Sequence, residues 1–224
     1  MVEKIPADAP VMVIGLGRFG AATAGQLQWQ DREVLGVDTD MTLVQKWSER
    51  LTHTVQADAR SLETLVQIGV QDFPIVVVAV GSDLESSVLI TANLVDLKIP
   101  QIWAKAVSQS HGKILSRIGA HHVIYPEAEA GRRVAHLVAG RLLDYIEFAE
   151  NFALAKMSPP REIQGKPLSE SLVRTKYHLS VVGIRAPGQD FTYATPETVV
   201  TPGDIIIVAG RTNDIEKFAN LDRH

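Results

Sequence analysis

The sequence predicts an α/β protein: a Rossmann-like, doubly wound parallel sheet, then a crossover helix and a small C-terminal α+β domain. Three observations predict this fold class. Short runs of β-branched residues alternate with amphipathic helical segments up to residue 125, a glycine-rich turn follows the first run, and the pattern changes after residue 151. Nearly continuous apolar strands separated by helices are typical of a parallel sheet covered on both faces.

The first domain, which we place at residues 8–151, contains repeated βαβ units. Each helical segment is long enough to connect two neighbouring parallel strands. The predicted strands lie at residues 11–14, 34–37, 53–56, 75–80, 101–104 and 122–125. The predicted helices lie at residues 19–29, 41–51, 61–68, 84–97 and 109–118.

Pro126 opens a different kind of segment, and residues 127–151 are predicted to form one long helix. Apolar residues recur there at three- and four-residue steps, which is the helical period. Glu127 and Glu129 stand in the first turn, where negative charge complements the helix dipole. A helix that leaves the sheet in this way suits a linker or an oligomer interface, and an ordinary packing helix is an equal alternative.

The second domain, residues 152–224, is predicted to mix short strands with helix. Proline and glycine mark its turns, and a closing helix capped by Thr212 or Asn213 ends it. The predicted strands are residues 179–185, 198–200 and 205–210, and the closing helix is residues 212–221. A domain this small is marginal alone, which favours pairing with a second copy.

Composition excludes several classes of function. The net charge of −4 weighs against nucleic acid as a partner, because phosphate binding leaves a basic footprint. The absence of cysteine excludes disulfides, thiolate catalysis and cysteine-based zinc sites. The longest apolar run, residues 75–80, is far shorter than the roughly 20 residues of a membrane span, and the first residues lack the apolar stretch of a signal peptide. We expect a soluble, cytoplasmic protein.

The main functional signal is a G-x-G-x-x-G motif between the first strand and the first helix. Gly15 permits the tight turn, Gly17 lets a pyrophosphate approach the backbone, and Gly20 lets helix and strand pack closely. Amides at the helix N-terminus then point towards phosphate oxygens. Asp38 ends the second strand about 20 residues later, where the motif needs an acid for the ribose hydroxyls. The sequence therefore predicts a nucleotide site, and the charge of Asp38 disfavours NADP.

Further residues at the same sheet edge complete the predicted site. Arg18 could reach a terminal phosphate through a bidentate contact, and an exposed arginine without that role is the alternative. Asp58 follows the third strand and could contact adenine or cap the next helix. Phe19 in the loop, Ala79 in the fourth strand and Gly81 after it belong to the same set.

Catalytic residues are not evident. A hydride-transfer enzyme needs a second site with a placed acid or base, and the seven histidines are scattered without catalytic or metal-ligand spacing. We therefore predict that the chain is not an enzyme. A small NAD(H)-dependent oxidoreductase or redox sensor remains the alternative, and a redox-sensing repressor is disfavoured because no segment is typical of a basic helix-turn-helix.

The chain resembles the RCK (regulator of K⁺ conductance) family, and within it the Ktr/Trk-type regulatory subunits of potassium-uptake systems. The resemblance rests on the strings VIGLGRFG, VLGVDTD, QADA, FPIVVVAVG, IPQIWAKA, RIGAHHVIYPEAEAG and VTPGDIIIVAG. Residues 11–151 resemble the nucleotide-binding RCK domain, and residues 162–221 resemble its C-terminal companion. A single copy of this pair favours the Ktr type.

The resemblance implies a gating subunit that switches ring shape between ATP and ADP. It implies an octameric cytoplasmic ring, peripheral at the inner face of the membrane, docked on a membrane potassium-translocating subunit. Lys105 matches the lysine after the fifth strand, and Glu127 matches an acid that helps to hold a cation near the nucleotide. The resemblance also places Arg174 where a phosphate of cyclic di-AMP would bind. That ligand, the identity of the cation and binding of NAD(H) at the nucleotide site stay open.

Overall fold

The computed structural model describes residues 5–81, 83–138, 142–148 and 151–223. Contacts divide the chain into two compact units, Met1–Glu127 and Ala128–His224. No helix among the described residues is long and apolar enough to cross a lipid bilayer.

The first unit is a parallel sheet with the strand order β3-β2-β1-β4-β5-β6. Its strands are β1 (Val11–Ile14), β2 (Val34–Asp38), β3 (His53–Gln56), β4 (Ile75–Val78), β5 (Gln101–Lys105) and β6 (His122–Ile124). The chain winds outwards in one direction from β1 to β3 and in the other from β4 to β6. This is the doubly wound topology that the sequence predicts, and its strand order reverses between β1 and β4.

Helices cover both faces of this sheet. They are α1 (Arg18–Trp29), α2 (Met41–Trp47), α3 (Leu62–Gln67), α4 (Leu84–Asp96) and α5 (Gln109–Ile118), with a 3₁₀ turn at Val70–Asp72. Alternate residues of β1 point to opposite faces, so Val13 packs with Ala24 of α1 while Met12 packs with Leu94 of α4 and Leu115 of α5. The near-continuous apolar strands of the sequence are thus explained by two cores, one on each face.

The second unit is built on an antiparallel sheet with the order β10-β9-β11-β8-β7. Its strands are β7 (Leu142–Phe148), β8 (Phe152–Met157), β9 (Ser180–Arg185), β10 (Thr192–Tyr193) and β11 (Ile205–Arg211). Helix α6 (Pro126–Val138) runs across the boundary between the units, and α7 (Leu168–Ser171), α8 (Val173–Tyr177), α9 (Thr212–Ala219) and the 3₁₀ turns Arg161–Ile163 and Leu221–Arg223 follow. Ile215 and Phe218 of α9 are fully buried and pack in one core with Ile206 and Val208 of β11.

The prediction of one long helix over residues 127–151 is wrong beyond Val138. Residues 142–148 form β7, which pairs antiparallel with β8, and Asn151 turns the chain between them with a φ of +68°. Pairing with β8 satisfies the backbone of β7 across the hairpin, and this long-range partner overrides the local helical period. The boundary between the units lies at residue 127, earlier than the boundary after residue 151 that the sequence predicts. Residues 139–141 and 149–150 of the predicted helix lie outside the described residues.

Two smaller expectations in the second unit also differ. The predicted strand at residues 198–200 is reduced to isolated bridges, between Val200 and Gln164 and between Val199 and Pro167. The closing helix follows Arg211, which makes no capping hydrogen bond through its side chain. The predicted cap by Thr212 or Asn213 is therefore wrong, because the Thr212 hydroxyl lies 3.0 Å from the buried Tyr145 hydroxyl instead.

Candidate functional site

A cleft of about 440 Å³ opens at the carboxyl edge of the first unit's sheet. It lies where the strand order reverses, the usual position of a ligand in an open α/β sheet. The cleft is lined by the ends of β1 and β2, the loops that follow β1, β2, β3 and β4, and parts of α2 and α4. Six residues of the predicted site line it: Gly15, Gly17, Asp38, Asp58, Ala79 and Gly81.

The glycine loop has the geometry that the motif requires. Gly15 has a φ of +96°, in the left-handed region that favours glycine, and its N–H donates to the Val37 carbonyl at 2.7 Å. A Cβ on Gly20 would lie 1.8 Å from the Gly15 carbonyl oxygen, so only glycine lets α1 pack this closely on the loop. A Cβ on Gly17 would meet no described atom within 4 Å, so the space beside it is open to the cleft.

The start of α1 is suited to an anion. Gly17 is its N-cap and has no side chain to cap the first turn, which contains no acidic residue. Helix N-termini carry unpaired amides and a partial positive charge. No carboxylate in the first turn of α1 compensates the amides or the charge. The start of α1 can therefore bind an anion in the way that phosphate-binding turns of nucleotide proteins do.

Asp38 lines the cleft and also holds the glycine loop in place. Its Oδ2 accepts from the Leu16 N–H at 2.6 Å, and its Oδ1 accepts from the Asp40 N–H at 2.9 Å. Each carboxylate oxygen has two lone pairs, so both can still accept a ribose hydroxyl. The sequence motif predicts the ribose contact but not the anchoring of the loop.

Asp58 also lines the cleft, but its carboxylate is engaged by a residue that sequence reasoning missed. Arg60 donates from Nη2 to Oδ2 at 2.7 Å and from Nε to Oδ1 at 2.9 Å. These hydrogen bonds lower the pKa of Asp58. The alternative in which Asp58 caps the next helix is wrong, because the Ser61 hydroxyl accepts from the Thr64 N–H and caps α3. The sequence signal that could have indicated this pair is the Asp-x-Arg spacing of Asp58 and Arg60.

Asp83, on the opposite wall, belongs to the structure of α4. Its Oδ1 accepts from the Glu85 and Ser86 N–H groups at 3.0 and 3.3 Å, and its Oδ2 accepts from the Ser86 hydroxyl at 2.5 Å. These bonds, led by the Ser86 hydroxyl, lower the pKa of Asp83. The cleft therefore has an ionised carboxylate on this side that the sequence analysis did not assign.

A second cluster adjoins the cleft through Gly81. Lys105, at the end of β5, places its Nζ 2.6 Å from Glu127 Oε1 and 5.7 Å from the centre of the Phe19 ring. A Cβ on Gly81 would lie 3.3 Å from Lys105 Cε, so a larger residue would press on this lysine. The Lys105 ammonium lowers the pKa of Glu127, and Arg18 contributes a smaller part through its charge. The structure therefore gathers Phe19, Lys105 and Glu127, with exposed Arg18 close enough to act on Glu127 electrostatically.

The donor set around Glu127 does not by itself fit a metal ion. Among the side chains that the structure describes, its carboxylate pairs with the Lys105 ammonium, which repels cations. Over the described ranges, no group of three or more His, Asp or Glu side chains is placed to hold a metal. Hard cations take several oxygen ligands, so one carboxylate is not enough.

Two family models match the chain. The TrkA-N domain model matches residues 11–126, slightly more than half of the 224 residues, and the TrkA-C domain model matches residues 154–222. The Ktr system potassium uptake protein A of Bacillus subtilis is 32% identical over 93% of this chain and 94% of its own length. The chain belongs to the RCK family. This confirms the family that the sequence resembles.

Further comparisons agree with the membership. The Ktr system potassium uptake protein C of Bacillus subtilis is 33% identical over 95% of this chain and 96% of its own length. The fold is similar to the GsuK RCK domain, with a TM-score of 0.66 and 18% identity over 97% of this chain and 48% of that one. Similar folds include the GsuK channel bound to NAD (TM-score 0.64, 18% identity, 97% and 40% coverage) and GsuK bound to ADP (0.52, 23%, 58% and 34%). This chain thus matches about half the length of the GsuK RCK chain, and less than half of each of the other two GsuK chains.

The comparisons also confirm the prediction that the chain is not an enzyme. The relatives that it matches over nearly their full length are Ktr system potassium uptake proteins. The roles of Arg18, Lys105 and Glu127 as binding residues remain predictions.

Proposed function

We propose that this RCK protein is the nucleotide-binding regulatory subunit of a bacterial potassium-uptake system. The observation that carries the proposal is the cleft at the carboxyl edge of the first unit, where a glycine loop, a helix N-terminus and Asp38 meet. It stands in a chain that aligns with potassium uptake proteins of the Ktr system over more than nine-tenths of their length. Site and relatives together support nucleotide-dependent regulation of potassium transport.

The ligand is a nucleotide that lies across the cleft with its ribose at Asp38 and its phosphates at the start of α1. Proteins of similar fold with NAD and with ADP bound support this class of ligand. Within the class we favour ATP and ADP over NAD(H), because Arg18 opens α1 and offers a guanidinium for a terminal phosphate. NAD(H) carries its pyrophosphate between two riboses and leaves such an arginine without a terminal phosphate.

Regulation would work by a shift in population between two arrangements of a ring of subunits. ATP and ADP move such an equilibrium only if they bind the two arrangements with unequal affinity. The coupling to the transport protein is reciprocal, so engagement of the membrane subunit would change nucleotide affinity by the same factor. We propose an octameric cytoplasmic ring, at the inner face of the membrane, as the assembly that transmits this change.

Two further ligands belong to this proposal. A cation at Glu127 would have to displace the Lys105 ammonium, and phosphate oxygens of the nucleotide would supply its other ligands. Cyclic di-AMP would bind the second unit, where Arg174 lines a cavity of about 270 Å³ together with Thr175, Ser180 and Thr195. A guanidinium in such a cavity is suited to a phosphodiester.

Calorimetric titration of the full chain with ATP, ADP, NAD and NADH, with and without Mg²⁺, tests the proposal. We expect ATP and ADP to bind more tightly than either dinucleotide. In Arg18→Ala the affinity for ATP should fall about ten- to a hundredfold, the usual effect of losing hydrogen bonds to a charged group, while the affinity for ADP changes little. Arg117→Ala, at an exposed arginine in the last turn of α5, is the control with the same loss of charge.

Two outcomes contradict the proposal in different ways. A strong preference for NAD or NADH would point to redox sensing rather than an ATP/ADP switch. Unchanged discrimination between ATP and ADP in Arg18→Ala would remove Arg18 from the switch while leaving the nucleotide site itself supported.

A further inference from the structure

The strand order decides which end of the cleft receives the base of a nucleotide. The phosphates belong at the end of β1, and Asp38 at the end of β2 receives the ribose. On the far side of β2 lies β3, and the loop after β3 contributes Asp58, Ala59 and Arg60 to the cleft. A base attached to a ribose at Asp38 therefore extends towards this loop, and Arg60 is its longest side chain.

The guanidinium of Arg60 is held by its edge. Nε donates to both oxygens of Asp58 at 2.9 and 3.1 Å, and Nη2 donates to Oδ2 at 2.7 Å. A bidentate pair of this kind orients the guanidinium plane. Asn93 of α4 donates from Nδ2 to the Arg60 carbonyl at 2.8 Å and ties the backbone of the loop to the opposite wall. The in-plane donors on one edge are thus engaged, and the flat faces remain available.

Charge at this end of the cleft argues against a phosphate as the partner of Arg60. The Asp58 carboxylate neutralises the guanidinium at hydrogen-bond distance. Asp83 and Glu85 are also close enough to act on Arg60 through their charges. With its charge compensated by the paired Asp58 and further reduced by two more distant carboxylates, the guanidinium attracts an anion weakly, whereas its flat face can still accept a neutral aromatic ring.

The wall of the cleft that Arg60 lines is also partly apolar. Ala59 and Ile90 line the same cleft, and because both are almost fully buried they give it a rigid apolar wall rather than a large exposed surface. A guanidinium face against an aromatic ring is a favourable cation–π contact, and a purine offers more ring area than a pyrimidine. We propose that Arg60 selects a purine base by stacking on it, and that Asp58 acts as the positioning residue that orients Arg60.

This inference rests on the proposed nucleotide function and assigns Asp58 a role different from direct contact with the base. Because Asp58 oxygens accept three hydrogen bonds from the Arg60 side chain and a fourth, at 3.0 Å, from the Arg60 N–H, little acceptor capacity is left for an exocyclic amine. The pair itself is exposed, with 52% and 45% of the two side chains accessible, so it orients the arginine more than it stabilises the fold.

Calorimetric titration of the full chain with ADP, CDP and inorganic pyrophosphate tests the inference. The wild type should bind ADP more tightly than CDP. Arg60→Gln and Arg60→Lys should both lower ADP affinity about three- to thirtyfold, lower CDP affinity less, and leave pyrophosphate affinity unchanged. Asp58→Asn should lower the ratio of ADP to CDP affinity while its unfolding midpoint stays at that of the wild type. The matched control is Arg50→Gln, at an exposed arginine 5.5 Å from the Trp47 ring, which should bind all three probes like the wild type.

Four results would overturn the inference. Equal wild-type affinity for ADP and CDP would show that the base is not selected. Wild-type selectivity in Arg60→Lys would assign the effect to charge rather than to a stacked plane, as would an equal loss for all three probes in Arg60→Gln. A wild type that binds none of the probes would refute the nucleotide function itself, and this inference with it.

Discussion

Replacing either of two glycines in the same loop by alanine should have different effects: at Gly20 it should lower stability, and at Gly17 it should lower nucleotide affinity. In Gly20→Ala the new Cβ would lie 1.8 Å from the Gly15 carbonyl oxygen and 2.8 Å from Ala79 Cβ. The backbone would have to move by more than 1 Å to reach an ordinary contact, since real Cβ atoms essentially never approach within 3.0 Å. Overpacking of this size costs about 3 kcal/mol of the free energy of unfolding, the upper part of the usual range, because the obstacle is backbone rather than a flexible side chain.

Gly17→Ala should leave stability almost unchanged. The φ and ψ of Gly17 are −65° and −175°, which alanine adopts freely, and no described atom lies within 4 Å of its Cβ position. Alanine is a poorer N-cap than glycine by about 0.5 kcal/mol, and its smaller entropy in the unfolded chain offsets a similar amount. The methyl group would instead occupy the space through which a phosphate approaches the loop, so ADP affinity should fall about tenfold or more.

Urea unfolding and ADP titration of both variants give four measurements that check this argument. A Gly20→Ala protein as stable as the wild type would refute the close packing of α1 on the loop. A Gly17→Ala protein that binds ADP with wild-type affinity would show that the ligand does not approach the loop at this point. If both variants lose stability equally, the division of roles between the two glycines is wrong.

Two further predictions concern hydrogen-bonded pairs. In protein labelled with carbon-13 at glutamate, the pKa of the Glu127 carboxyl should lie below its ordinary value, because Lys105 stabilises the charged form, and it should rise towards that value in Lys105→Met. A midpoint unchanged by the substitution would contradict the pair. Any stability that the pair contributes is present above the ordinary pKa and is lost as pH falls through the lowered one. Tyr145→Phe should lower the free energy of unfolding by about 1–2 kcal/mol, because it leaves the buried Thr212 hydroxyl without this partner. Urea unfolding should show no measurable change in the control Tyr193→Phe, at a tyrosine that is 92% exposed. Equal stability of the two variants would contradict the buried bond.

The first unit could be predicted almost strand by strand because its signals are local. Each parallel strand is a short apolar run between helices, and the glycine motif identifies the loop whatever lies elsewhere in the chain. The strand β7 could not be predicted in this way. Its apolar residues also fit a helical period, and only the antiparallel partner β8 decides between the two. Pairing between strands is not written in the sequence of either strand alone.

The site shows the same division between local and long-range information. Asp38 and the glycines are found from spacing, whereas the pair of Lys105 and Glu127 depends on β5 and β6 lying side by side. Arg60 was missed for a different reason. A loop arginine two residues after an aspartate is common, and only the fold shows that this one lines the cleft.

Asp38 both lines the cleft and anchors the glycine loop, and this limits how the loop can evolve. Its carboxylate accepts from the Leu16 amide, so the acid that we propose as the ribose ligand is also part of what shapes the turn. A lineage that exchanged it for a residue accepting a 2′-phosphate would lose an anchor of the turn in the same step. A well-formed turn therefore favours this aspartate, and with it a site that suits a nucleotide with a free 2′-hydroxyl.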